Sequence, residues 1–155
     1  MALILPKASR LHLYYAPEAS DDHPSYGFCK TPEGHSGYFH FDATGNYIWG
    51  RGDSPWLLYR LREILNPEIG TLYWCEGQKD ADSLIKQGVS ATDFQGLPLS
   101  DPELADLITS VAAGKRNIVI PDNDSAGHKQ ADRFARFLYG LLQSEASIQR
   151  GDDNV

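Results

Sequence analysis

The alternation of apolar and polar residues changes character once along the chain, near residue 55. Upstream of that point, short apolar runs alternate with polar residues and are separated by turn-forming residues, which is typical of β-strands. The predicted strands are Arg10–Tyr15, Tyr26–Cys29, Gly37–Phe41 and Asn46–Trp49. The last two meet across Asp42-Ala-Thr-Gly and predict a hairpin.

Downstream, the apolar residues of Pro55–Leu65 recur at helical spacing until Asn66-Pro67, and this predicts a helix that leads into the second half. Strands and helices then alternate. The predicted strands are 70–75, 89–92 and 117–120, and the predicted helices are 80–87, 101–112 and 125–143. This order predicts an α/β fold with a mostly parallel sheet flanked by helices. We therefore expect a β-rich segment (1–66), an α/β domain (67–143) and a flexible tail (144–155).

Composition narrows the class of protein. A length of 155 residues suits one globular unit with a real core. The net charge of -7 argues against a protein that holds nucleic acid through a broad basic surface. The two cysteines, Cys29 and Cys75, form no zinc-binding or disulfide pattern and fit a reducing cytoplasm. The apolar stretch 1–6 is interrupted by proline and is too short for a membrane span, so we expect a cytoplasmic protein without a membrane partner.

Acidic residues follow two of the predicted parallel strands. Glu76 comes directly after the first of them, and Asp122 and Asp124 follow the third. Each group alone has an ordinary explanation, since Glu76 suits a solvated turn and the aspartates suit a turn or a helix N-cap. Together, at one edge of a parallel sheet, the three carboxylates would repel each other unless they held a cation. Oxygen ligands favour Mg²⁺, or Mn²⁺, over zinc.

The same segments carry a resemblance to a known family. Cys75-Glu-Gly-Gln-Lys-Asp-Ala-Asp-Ser-Leu, Gly88-Val-Ser-Ala-Thr and Ile120-Pro-Asp-Asn-Asp-Ser-Ala-Gly, with Ala131, resemble the Toprim domain of primases, topoisomerases and some nucleases. The likeness covers residues 38–142 and is strongest to the Toprim region of phage and plasmid primase-like replication proteins. It implies a Toprim-like, Rossmann-like sheet in the second half of the chain.

The resemblance also implies roles for individual residues. Glu76 matches the glutamate that acts as general acid or base on the transferring hydroxyl and also reaches the metal, and Asp122 and Asp124 match the metal-binding pair. Three further positions match turn or helix-cap positions: Gly77, Asp80 and Gly127. The candidates for phosphate contacts are Lys79, Lys129 and Arg60.

The leading hypothesis is a Mg²⁺-dependent primase component of a mobile element that joins nucleotides during primer synthesis. Its expected partners are single-stranded DNA or RNA, nucleotides, and a helicase or other replication protein. A metal-dependent nuclease would use the same carboxylates. A non-catalytic Toprim-like module that binds a replication or defence protein is the alternative of a different class, and the absence of an N-terminal zinc-binding pattern together with the negative charge favours it.

Overall fold

The structure is a computed structural model that describes the backbone of residues 2–153 and the side chains of residues 2–144. The chain divides into two compact units, Met1–Arg62 and Glu63–Val155. The division falls within a four-residue helix, α1 (Leu61–Ile64), and lies four residues before the boundary predicted from the sequence.

The N-terminal unit contains a four-stranded antiparallel sheet. Its strands, in spatial and sequence order, are β1 (Arg10–Tyr14), β2 (Tyr26–Lys30), β3 (Ser36–Phe41) and β4 (Tyr47–Trp49). β3 and β4 form the predicted hairpin, with Phe41 opposite Tyr47 and Phe39 opposite Trp49. This pairing confirms the hairpin, and the β-rich character of the segment is confirmed with it.

Aromatic packing fills the core of this unit. The Phe39 ring lies so close to the backbone of Gly27 that a Cβ atom there would be 2.3 Å from the ring. Tyr14 and Tyr26 stack with ring centroids 4.7 Å apart, and both are buried. Burial of these large rings supplies much of the apolar area that stabilises a sheet of this size.

The helix predicted over Pro55–Leu65 is wrong for most of its length, because only α1 is helical. Arg60 has a φ of +63°, which is incompatible with a continuing right-handed helix. The phenolic oxygen of Tyr26 accepts a hydrogen bond from the Leu57 N–H at 2.8 Å, so a side chain takes the place of a helical partner. The apolar spacing therefore reflects burial of an irregular segment, with Leu57 and Leu58 both in the core.

The C-terminal unit contains a three-stranded parallel sheet in the order β6-β5-β7. The strands are β5 (Thr71–Cys75), β6 (Ser90–Asp93) and β7 (Arg116–Val119). The helices are α2 (Gln78–Lys86), α3 (Pro102–Ala112) and α4 (Ser125–Asp153). This arrangement confirms an α/β fold with a parallel sheet, and it makes β5 the central strand.

The long helix α4 packs its apolar stripe against the sheet. Phe134 lies 5.0 Å from Trp74 and 4.7 Å from Phe94 between ring centroids, and all three side chains are buried. The described helix runs to Asp153, ten residues beyond the predicted end at residue 143, and residues 154–155 lie outside the described chain. Flexibility of the tail from residue 144 stays a prediction. No proline or glycine interrupts residues 144–150, so nothing in the sequence stops the helix there. No helix in the described part of the chain is long and apolar enough to cross a membrane.

Candidate functional site

The parallel pairing of β5 with β7 brings two acidic segments together. Trp74 lies opposite Val119, so both strands end at the same edge of the sheet. Glu76 follows β5, and its carboxylate Oε2 accepts a hydrogen bond from the backbone N–H of Asp122 at 3.0 Å. Residues 46 positions apart are thereby joined directly at the carboxyl ends of the strands, which is where open α/β sheets bind ligands.

Gly127 occupies a position in the first turn of α4 that admits no side chain. A Cβ atom there would lie 2.7 Å from the Asp122 Cβ, 2.8 Å from the Asp122 carbonyl oxygen and 2.8 Å from the Glu76 Oε2. Such separations are sterically impossible without a shift of the neighbours. The resemblance implied a turn glycine, whereas the structure places Gly127 inside a helix, where the requirement is close approach and not backbone conformation.

Asp124 caps α4. Its side-chain Oδ1 accepts a hydrogen bond from the Gly127 N–H at 2.5 Å, and its own N–H donates to the Asp122 carbonyl oxygen at 2.8 Å. The ordinary explanation offered by the sequence, an aspartate at a helix N-cap, is therefore present in the structure. One carboxylate oxygen of Asp124 is committed to the cap.

The carboxylates at this edge influence one another electrostatically. Partial burial raises the pKa of Asp122, the neighbouring Glu76 and Asp124 carboxylates raise it further, and a hydrogen bond with Asp80 opposes the rise. This pattern is the expected effect of like charges that lie close together, here on side chains of which Asp122 and Asp124 are exposed. Four acidic side chains therefore lie within interaction range at the end of the sheet.

This donor set offers oxygen ligands, which suit a hard cation such as Mg²⁺. Mutual repulsion at Asp122 and the clearance provided by Gly127 are compatible with a cation at this position. Among the side chains of residues 2–144, however, no group of three or more His, Cys, Asp or Glu is arranged closely enough to hold a metal ion. Metal binding by Glu76, Asp122 and Asp124 stays a prediction.

The prediction that Asp80 caps α2 is wrong. The helix begins at Gln78, and Gly77 is its N-cap residue, in an extended conformation with φ -153° and ψ 164°. Asp80 therefore lies within the first turn, where its charge is favourable to the helix dipole. Gly77 needs no positive φ, and a Cβ atom there would contact only the Gln95 side-chain oxygen, at 3.4 Å.

The three predicted phosphate contacts lie in different places. Lys79 in α2 and Lys129 in α4 are exposed, and both belong to the C-terminal unit that carries the carboxylates. Arg60 belongs to the N-terminal unit and is partly buried. A role in phosphate binding stays a prediction for all three residues.

A cleft of about 320 Å³ adjoins the acidic edge. Its lining combines apolar and polar side chains from β5, α2 and the segment after β7: Cys75, Asp80, Ser83, Leu84, Ile120, Pro121, Asp122 and Asn123. The Cys75 thiol is buried, and desolvation, with a smaller contribution from Asp80, raises its pKa to about 12. At neutral pH this sulfur is therefore protonated, and it is a weak ligand and a weak nucleophile.

Sequence reasoning missed Asp93, the acidic residue with which the third strand of the sheet, β6, ends. It is the last residue of β6, lies opposite Cys75, and is 4% exposed. Burial raises its pKa to about 7, although hydrogen bonds from the backbone N–H groups of Gln95 and of Asp93 itself act in the opposite direction. The predicted strand stopped at Thr92. A predicted strand that was one residue longer would have placed this aspartate beside Cys75.

Comparison with known proteins gives one statistically supported relative. The chain is 32% identical over 94 residues to the UPF0292 protein of Pyrococcus furiosus. The aligned segment covers 61% of this chain and 66% of that protein, which is just under two thirds of its length. The name of this relative states no activity. No family model and no solved structure matches the chain.

The close packing of Gly127 leads to a matched pair of substitutions in α4. Gly127→Ala should lower the free energy of unfolding by about 1 to 3 kcal/mol, because the methyl group collides with Asp122 and Glu76. Gly140→Ala should raise it by about 0.5 to 1 kcal/mol, because that position is exposed with open space around it and alanine favours the helix. Urea denaturation measures both, and equal stabilisation by the two substitutions would contradict the steric argument.

Burial of Asp93 predicts a specific dependence of stability on pH. The folded pKa of about 7 exceeds the unfolded value of about 3.9, so the folded protein binds the proton more tightly. The contribution of Asp93 is therefore fully present below pH 4 and is lost as the pH rises to 7. Asp93→Asn should remove this dependence. As the pH rises from 5 to 8, the free energy of unfolding of the variant should increase relative to that of the wild type by on the order of 2 kcal/mol. A constant difference would refute the assignment.

Proposed function

We propose that this chain is a Toprim-like protein that carries out Mg²⁺-dependent phosphoryl transfer on nucleic acid. The observation that supports the proposal most directly is the hydrogen bond between Glu76 and the Asp122 backbone, over a glycine that leaves no room for a side chain. The resemblance of both acidic segments to Toprim motifs supplies the reaction class. A primase component of a mobile element is the member of that class that it resembles most.

In this proposal different carboxylates carry out metal binding and proton transfer. Asp122 and Asp124 would hold Mg²⁺ or Mn²⁺, which neutralises charge on transferring phosphate oxygens. Glu76 accepts a backbone hydrogen bond through Oε2 and is partly exposed, so it is held in place while its carboxylate can exchange a proton with a bound hydroxyl group. The adjoining cleft would offer a nucleotide apolar side chains together with the polar Ser83 and Asn123.

A nuclease would use the same residues with water as the attacking group. The two enzymatic proposals share every carboxylate at the sheet edge, and they differ in whether the reacting hydroxyl belongs to a nucleic acid strand or to water. Lengthening of the strand would favour the primase proposal and shortening would favour the nuclease.

A non-catalytic binding module is supported by a different observation. The C-terminal unit carries eight Lys and Arg against fifteen Asp and Glu, so the entire net charge of -7 belongs to it. Asp124 already has a structural role as a helix cap. In this alternative the acidic unit would bind a basic replication or defence protein, and the carboxylates would serve in folding and recognition.

The setting proposed for the enzyme is the cytoplasm. Its substrates would be single-stranded DNA or RNA and nucleotides, and a helicase or another replication protein would be a natural partner. The two buried thiols, Cys29 and Cys75, are compatible with a reducing compartment.

Metal binding at the sheet edge can be measured without any enzymatic assay. Millimolar Mn²⁺ or Mg²⁺ should raise the melting temperature of the wild type by several degrees, because a ligand that binds only the folded state stabilises it. The double variant Asp122→Asn/Asp124→Asn should lose this shift, and asparagine at 124 still caps the helix. Asp106→Asn on the exposed surface of α3 serves as the control with one charge removed. An undiminished shift in the double variant would exclude these ligands.

Catalysis is tested by incubation of the protein with single-stranded DNA or RNA, nucleotides and Mn²⁺, followed by separation of the strands by length. Glu76→Gln should reduce the rate of extension or cleavage by about 10² fold or more, because it removes a general acid or base. The glutamine retains an oxygen that can accept the Asp122 hydrogen bond. A variant of unchanged rate would refute the catalytic role, and absence of activity in the wild type would favour the binding module.

A further inference from the structure

The strand β7 lies at an edge of the parallel sheet, yet its side chains are typical of an inner strand. Ile118, Val119 and Ile120 form a continuous β-branched run, the pattern of a parallel strand with a neighbour on each side. All three are partly exposed. The other edge strand, β6, is more polar, and its last three residues are nevertheless buried. β7 thus combines the composition of an inner strand with the exposure of an edge strand.

The outer side of β7 also carries backbone groups that the sheet does not pair. The N–H groups of Arg116 and Ile120 each donate to a carbonyl oxygen of β5 or of the residue before it, at 2.8 Å. Because successive residues of a strand face opposite neighbours, the N–H and C=O groups of Asn117 and Val119 point away from β5. Within the described chain, no strand lies beyond β7 to pair with them. Such an edge is a template for another strand.

The charge of this segment reverses from one end to the other. Lys115 and Arg116 lie at its start, and Asp122 and Asp124 follow its end. The Lys115 ammonium group donates to a backbone carbonyl oxygen of α3 at 2.6 Å, whereas Arg116 is exposed and has no ion-pair partner among the described side chains. Antiparallel pairing of the segment with itself would place the basic start of each strand at the acidic end of the other. The segment is therefore complementary in charge to a second copy of itself.

We propose that β7 pairs in antiparallel orientation with β7 of a second copy of this chain, which joins the two parallel sheets across a twofold axis. Such an interface uses the same surface of both copies, as is usual in homodimers. The outward backbone groups of Asn117 and Val119 exchange hydrogen bonds between the copies. Arg116 of each copy lies beside Asp122 of the other, and the partly exposed Ile118 and Val119 of both copies add apolar contact.

The pairing would bring a cation to each acidic edge. The cleft at this edge contains the side chains of Asp80 and Asp122, and none of the described side chains that line it is basic. In the dimer, the guanidinium group of Arg116 from the second copy offsets the repulsion among these carboxylates. Within one copy, Arg116 lies at the opposite end of β7 from Asp122. The second copy thus supplies a charge that the same strand cannot place there.

Sedimentation equilibrium in the presence of EDTA tests for the dimer, over roughly a hundredfold range of protein concentration. The wild type should pass from monomer to dimer as the concentration rises, and added salt should weaken the dimer because it screens the exposed ion pairs. A wild type that stays monomeric throughout would overturn the proposal. Because EDTA removes divalent ions, this result does not depend on the metal binding proposed for Glu76, Asp122 and Asp124.

Val119→Pro tests the backbone pairing. Proline removes the N–H group that points outward and leaves the hydrogen bonds of the flanking residues to β5 in place, so the variant should be folded and monomeric. Val119→Ala keeps the N–H group and is the matched control, which should dimerise within about tenfold of the wild type. A folded Val119→Pro variant that dimerises as the wild type does would assign self-association to another surface and refute the proposal.

Charge exchange tests the antiparallel orientation independently. Arg116→Glu and Asp122→Arg each place like charges together in a dimer of identical copies, and each should weaken dimerisation by about tenfold or more. A mixture of the two variants restores opposite charges at both contacts and should recover the dimer. Lys86→Glu, on the exposed surface of α2, is the matched control and should dimerise as the wild type does. A mixture that stays monomeric, or equal weakening by Lys86→Glu, would overturn the proposal.

Discussion

The parallel pairing of β5 with β7 is the constraint on which the candidate site depends. It places the ends of two strands side by side, and the Glu76 carboxylate then reaches the Asp122 backbone across 46 residues of sequence. Gly127 allows the first turn of α4 to approach both residues. The same geometry that concentrates negative charge also holds the carboxylates in place. Backbone N–H groups donate hydrogen bonds to Glu76 and Asp124 and so compensate part of the repulsion between them.

The two units differ in their charge and in the kinds of side chain that they expose. The C-terminal unit gathers acidic groups at a sheet edge beside a cleft, while the N-terminal unit is electrically neutral and exposes aromatic rings. Neither unit carries a net positive charge that would attract a polyanion at long range.

The sequence was sufficient to predict what depends on short-range pattern. Alternation of strand and helix predicted the α/β class, and the Asp42–Gly45 turn predicted the hairpin. Prediction from the apolar-polar pattern failed where contacts between residues distant in sequence decide the conformation. The Tyr26 hydroxyl and the positive φ of Arg60 keep 55–60 from forming a helix, and neither is visible in apolar spacing. Asp93 was missed by a single residue of strand length, and the exposure of Tyr47 and Trp49 follows from strand order, which periodicity does not contain.

Each unit also contains one buried cysteine. Burial raises the pKa of Cys29 in the N-terminal unit as well as that of Cys75 in the C-terminal unit, so neither sulfur is a reactive thiolate in the folded chain. Alkylation of either sulfur requires local or global opening that exposes it to reagent. The alkylation rate of each buried thiol therefore reports how often its own unit opens. Comparison of the two rates would show whether the units open together or one at a time.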